Sequence, residues 1–179
     1  MKHVLSLVLL AAAAMLTFPV QAESDSAGDK GKKPELPAET SEWADGPSDD
    51  WEVNYDAALS KAAEEHKKVY VVCVGSDWCG WCKKLHEEVL TSDDFEDFAE
   101  KNLVLLYLDF PKDKKMPAEQ QKHNELVRDM LKMDDGVPIA AVLDEKGRVI
   151  ARRDGYADDL EAYMAFLKKA VRKKASSKD

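Results

Sequence analysis

After residue 50 the chain carries two nearly unbroken apolar runs: Val69-Tyr70-Val71-Val72-Cys73-Val74 and residues 103–110. Runs of that kind, without polar alternation, are what strands buried on both faces require. Around them apolar positions recur at helical spacing. Ala58, Leu59, Ala62 and Ala63 mark a first helix, opened by Asn54 as N-cap and ending near Lys67. Cys82, Leu85, His86, Val89 and Leu90 mark a second, from about residue 79 to residue 90. Ser92 is placed to cap a short third helix that turns Phe95, Phe98 and Ala99 inward.

Residues 111–121 are polar and Lys-rich, and a helix begins near Pro117, a favoured first-turn residue. Its expected inward face is Leu126, Val127, Met130 and Leu131. Residues 139–143 and 149–152 flank Asp144-Glu145-Lys146-Gly147, a β-hairpin signal with glycine at the end of the turn. Gly155 ends the second of these strands. Asp158 is the expected cap of a last helix, on which Leu160, Tyr163, Met164, Leu167 and Val171 repeat.

The first 50 residues read differently. Lys2 supplies a positive start, residues 4–15 an apolar core and Val20-Gln21-Ala22 a small-residue cleavage site, so residues 1–22 read as a secretory signal peptide. The apolar run is too short to span a bilayer. Residues 23–50 are rich in Ser, Gly, Pro, Asp, Glu and Lys and lack apolar periodicity, as a flexible tether would. Trp43 and Trp51 stand out in that polar setting and are expected to fold onto the surface of the domain. Residues 51–175 then form one domain. The expected location is the periplasm or the extracellular space, with no stable membrane insertion after cleavage.

Composition narrows the partners. The formal charge is −9, and −10 once Lys2, the only charged residue in the leader, is removed. That acidity argues against nucleic acid, whose phosphates are bound by clustered Lys and Arg. The basic run Lys168, Lys169, Arg172, Lys173, Lys174 and Lys178 lies at a helix end, where cations complement the dipole. Three cysteines are an odd number for an exported chain, which fits one redox pair and one core thiol better than a disulfide scaffold.

The chemistry concentrates in Ser76-Asp77-Trp78-Cys79-Gly80-Trp81-Cys82-Lys83-Lys84-Leu85. A buried strand runs into a short loop, and the loop delivers two cysteines to the first turn of a helix. Cysteines separated by two residues can close a small disulfide ring. The unpaired N–H groups and positive dipole end of a helix start stabilise a thiolate there. Cys79 is therefore read as the nucleophile and Cys82, one turn further in and more shielded, as the resolving thiol. A purely structural bridge would close too short a loop to add much stability.

Strand, Trp-Cys-x-x-Cys-Lys and helix together resemble the active site of thioredoxin-like proteins, and the resemblance extends to Gly136-Val137-Pro138-Ile139 before an apolar strand. It implies an α/β thioredoxin-like fold, a central mixed β-sheet with helices on both faces. It further implies thiol-disulfide exchange through Cys79 and Cys82, with no cofactor. The partners implied are protein thiols or disulfides and a redox partner protein, the chain itself being a monomer. Pro138 would be a cis-proline facing the disulfide and would turn the Val137 backbone towards an incoming peptide. Trp78, Trp81, Val137 and Pro138 are the expected substrate contacts, Trp81 forming an apolar lip where thioredoxin itself has proline. The resemblance also implies an insertion in residues 111–121.

Two features stand apart from that pattern. Cys73 lies where thioredoxins keep a buried acid, and residues 69–74 hold neither Asp nor Glu, which leaves solvent or Asp77 for proton transfer. A free cysteine in an apolar strand is expected to be core. His86, four residues after Cys82, gives an alternative: a metal-binding or metal-delivery protein using Cys79, Cys82 and His86. Three ligands without a fourth fall short of a closed zinc site.

Overall fold

A computed structural model describes residues 48, 50–156 and 159–173; the expectations for residues 1–22, most of residues 23–50, Trp43 and Asp158 lie outside them. Elements follow in the order β1 (Trp51–Glu52), α1 (Tyr55–Glu65), β2 (Lys68–Val74), α2 (Gly80–Leu85), a π-helical turn (His86–Leu90), α3 (Asp93–Asn102), β3 (Leu103–Asp109), α4 (Ala118–Met130), β4 (Ile139–Leu143), β5 (Val149–Asp154) and α5 (Leu160–Arg172).

The five strands form one mixed sheet in the order β1-β3-β2-β4-β5. β3 pairs parallel to β1 and β2, while β4 pairs antiparallel to β2 and β5. Side chains alternate across a strand, and β2 divides its apolar run accordingly. Val69, Val71 and Cys73 enter one core with Ala58 and Ala62 of α1 and Val127 of α4. Tyr70, Val72 and Val74 enter the other with Leu85, Val89, Phe95 and Leu167. Helices thus cover both faces of the sheet, the thioredoxin-like α/β arrangement.

Local signals placed several ends. The Asn54 side chain accepts the Asp56 and Ala57 amides, and Ser92 accepts that of Phe95. The last helix is capped by Asp159, whose side chain accepts the Ala162 amide, one residue beyond the predicted position.

Other expectations are corrected. Ala63 is exposed and Leu59 half-buried, because the inward stripe of α1 runs through Tyr55, Ala58 and Ala62. Trp51 is not a surface appendage: it sits in β1 opposite Leu105 and packs against Tyr70, Phe95 and Tyr107. The inward face of α4 is also different. Leu126 and Met130 are exposed, while Gln120, His123, Asn124 and Val127 are buried. Those polar side chains are tolerated because their partners are fixed. Gln120 donates to the Val53 carbonyl, and Asn124 donates to that of Asp109.

Candidate active site

β2 ends at Val74, and a tight turn follows in which the amides of Trp78 and Cys79 both donate to the Gly75 carbonyl, at 3.2 and 2.8 Å. Cys79 thereby becomes the N-cap of α2, with extended backbone (φ −89°, ψ 102°). Its sulfur accepts the Cys82 amide at 3.1 Å. A sulfur in the position of a capping oxygen receives one of the N–H groups that a helix start leaves unpaired. Cys79 and Cys82 form a disulfide, Cα–Cα 5.2 Å. In this oxidised form exposure hardly separates them, at 5% and 4%. Any asymmetry between the two sulfurs therefore comes from the helix start and not from shielding.

The opposite wall is the segment before β4. The Val137–Pro138 bond is cis, as the resemblance implies. The Val137 carbonyl oxygen lies 3.6 Å from Cys79 Sγ. Pro138 is held from behind, its carbonyl accepting the Gly155 amide at 2.8 Å. Upstream, Arg152 of β5 donates to the Lys132 carbonyl and, at 2.6 Å, to the Asp135 carboxylate. No local pattern marks Arg152 for that duty.

Trp78 and Trp81 flank the disulfide and remain 42% and 55% exposed. The Lys84 ammonium stands 5.4 Å from the Trp81 ring and 6.0 Å from that of Tyr156. The Tyr156 hydroxyl donates at 2.6 Å to Glu88, within the π-helical turn. Burial, then that bond, pushes the Tyr156 pKa up to about 12. The predicted uniform helix from 79 to 90 is thus two pieces. The wider turn, where Thr91 Oγ1 donates to the His86 carbonyl, is a type of irregularity often seen near functional sites.

His86 is exposed rather than inward. It lies one turn beyond Cys82 but about 40° further round the helix. Among the described residues no three His, Cys, Asp or Glu side chains are grouped to hold a metal ion, so Cys79, Cys82 and His86 do not form a ligand set.

Asp77 is not positioned as a free proton acceptor. Its carboxylate accepts the amides of Lys112, Asp113 and Lys114 at 3.1, 2.7 and 2.9 Å. Partial desolvation would raise its pKa, but these amides together outweigh that and lower it to about 2. Cys73 is fully buried and free, and burial pushes its thiol up to about 12. The buried acid near the site is Asp109, at the end of β3 and in register with Val74; sequence reasoning missed it. It accepts the Ser76 amide at 2.9 Å and the Ser76 hydroxyl at 2.5 Å, bracing the turn before the cysteines. A single acid closing an otherwise apolar run was the available signal.

The thioredoxin-like domain family matches residues 55–170. The chain belongs to that family, as a thioredoxin-like oxidoreductase. Among its relatives is the disulfide bond reductase DsbH of Chlamydia pneumoniae, 32% identical over 122 residues that cover 68% of this chain and 72% of DsbH. The thioredoxin-related protein DsbJ of the same organism is 26% identical over 121 residues, which are 34% of its own length. A solved DsbH oxidoreductase superposes with TM-score 0.63 and 31% identity over 69% of this chain and 85% of that one. A thioredoxin from Thermus thermophilus, with TM-score 0.53 and 19% identity over 66% and 85% of the two chains, shares the fold.

Proposed function

We propose that this protein is an exported thiol-disulfide oxidoreductase that reduces disulfides of protein substrates through Cys79 and Cys82. The observation that carries the reading is the Cys79–Cys82 disulfide at the start of α2, with Cys79 Sγ taking the Cys82 amide and facing the Val137 carbonyl.

In the reduced protein, Cys79 is the thiolate, stabilised by the helix-start amide. It attacks one sulfur of a substrate disulfide, a Cys79–substrate bond forms, and the other substrate sulfur leaves as a thiolate that takes a proton. Cys82 then loses its proton to solvent or to the departing sulfur and attacks Cys79 Sγ. The second substrate thiol is released and the intramolecular disulfide is regained. Two electrons pass from the protein to the substrate, and a dithiol redox partner returns them. The Val137 carbonyl and the rings of Trp78 and Trp81 receive the substrate chain around the sulfurs, and Pro138 holds Val137 in place.

The reducing direction is supported by the relative named a disulfide bond reductase. Export is supported by the leader-like residues 1–22, after which residues 23–50 act as a tether for a monomeric domain spanning 51–175. Among the described residues no helix is long and apolar enough to cross a membrane.

Trapping tests the assignment of roles. Cys82→Ser is expected to accumulate mixed disulfides with a protein disulfide such as insulin, detected by intact mass, and Cys79→Ser to form none. Equal trapping by both variants would overturn it.

A further inference from the structure

Asp77 and Trp78, next to Cys79, are both tied to one distant segment. The Asp77 carboxylate takes the amides of Lys112, Asp113 and Lys114. The Trp78 indole N–H donates to the Phe110 carbonyl at 2.8 Å, and the Lys112 ammonium stands 3.9 Å from the centre of its ring. Phe110 is itself fixed to the end of β2, its N–H donating to the Val74 carbonyl at 2.9 Å. The indole can lie where it does because residue 75 is glycine. A Cβ there would stand 2.3 Å from Trp78 Cε2.

Residues 112–115 are all exposed, and Asp77 takes three of their four backbone amides. Both Asp77 oxygens are engaged, Oδ1 by Lys112 and Oδ2 by all three amides. A carboxylate committed in this way holds backbone in place and is poorly suited to carry protons for the cysteines.

Its position bears on substrate size. Cys79 is only 5% exposed, so a disulfide embedded in a polypeptide reaches it only if the polypeptide rests on the surrounding rim. A small disulfide needs no such support. Trp78, 42% exposed, is the part of the rim that these hydrogen bonds hold.

We propose that Asp77 is a positioning residue that selects for protein disulfides: through the amides of Lys112, Asp113 and Lys114 it holds residues 110–114 against Trp78, and so fixes one wall of the rim on which a polypeptide docks beside Cys79. The proposal rests on the thiol-disulfide exchange described above and extends it to the class of substrate.

The test compares the mature wild-type chain with Asp77→Ala and Asp77→Asn on two disulfides, insulin and a small aromatic disulfide. For Asp77→Ala the expected result is a KM for insulin raised about 5–10-fold with kcat within about twofold, and a rate on the small disulfide within about twofold of wild type. Asp77→Asn, which keeps one accepting oxygen, should fall between the two. The Lys112, Asp113 and Lys114 amides should exchange with solvent faster in both variants. An unchanged KM for insulin would overturn the proposal, and so would a parallel loss on both substrates, since that would place the defect in the cysteine loop itself. Should Asp77→Ala fail to fold, Asp77→Asn carries the comparison alone. Wild-type protein inactive on both disulfides would instead overturn the exchange reaction, a different outcome from either.

Discussion

The Nε2 atom of His123 accepts the backbone N–H of Tyr55 at 3.2 Å, so a buried imidazole on α4 closes the first turn of α1. Its Nδ1 faces Asn124 Oδ1 at 3.1 Å, which fixes the neutral tautomer with the proton on Nδ1. Protonating Nε2 would set one donor against another.

This pairing predicts a loss of stability in mild acid. Burial lowers the His123 pKa, and the Asn124 bond offsets only part of that. The unfolded chain, with a histidine pKa near 6.5, therefore takes up the proton first as the pH falls. The stabilisation is complete above about pH 6.5 and fades as the pH drops towards the folded pKa, at no more than about 1.4 kcal/mol per pH unit for one proton. Urea midpoints should fall between pH 7.5 and 5.5. In His123→Gln, which can still accept the Tyr55 amide, most of that fall should vanish. An equal fall in the variant would assign the acid sensitivity to other groups.

Cys73 should be inert. It is fully buried in β2, and its thiol titrates near 12, so it holds almost no thiolate at neutral pH. After reduction a bulky maleimide should modify Cys79 in the folded protein, with Cys73 joining only when denaturant is added. Peptide mapping that found Cys73 labelled in the native protein would contradict its place in the core.

Gly75→Ala should evict Trp78. The added Cβ would meet the indole at 2.3–2.7 Å, and the ring can swing out towards solvent. Eviction breaks the indole bond to Phe110 and separates the ring from the Lys112 ammonium. Each contact is worth about 0.5–1.5 kcal/mol, so a loss of about 1–2 kcal/mol is expected. Chemical denaturation gives the energy, and the indole N–H resonance of Trp78 reports the eviction. A variant as stable as wild type, with that resonance unmoved, would show that the turn accommodates a side chain.

What could be read from sequence was what is locally determined. The apolar run Val69 to Val74, the caps Asn54 and Ser92, and the two cysteines after a strand each carry their own signal within a few residues. The features that escaped depend on partners far along the chain. Gln120, His123 and Asn124 form a buried polar face because Val53, Tyr55 and Asp109 present backbone groups to them. Leu126 and Met130 looked inward only because apolarity was the sole cue. Trp51 forms a two-residue strand because β3 offers an open edge, and nothing in its own polar surroundings announces pairing. Asp77 was visible as the nearest acid, but its three amide partners lie 35–37 residues away, and they change its reading from proton carrier to latch.

In the proposed function Cys79 and Cys82 hand two electrons to a protein disulfide. The direct measurement is to reduce the mature chain, remove the reductant, mix it with insulin, quench with acid and follow intact masses. The chain is expected to become two hydrogens lighter as insulin thiols appear in equal equivalents, with peptide mapping placing the new bridge between Cys79 and Cys82 and Cys73 remaining a free thiol. A chain that stays reduced while insulin remains oxidised, or a bridge that involves Cys73, would contradict that function.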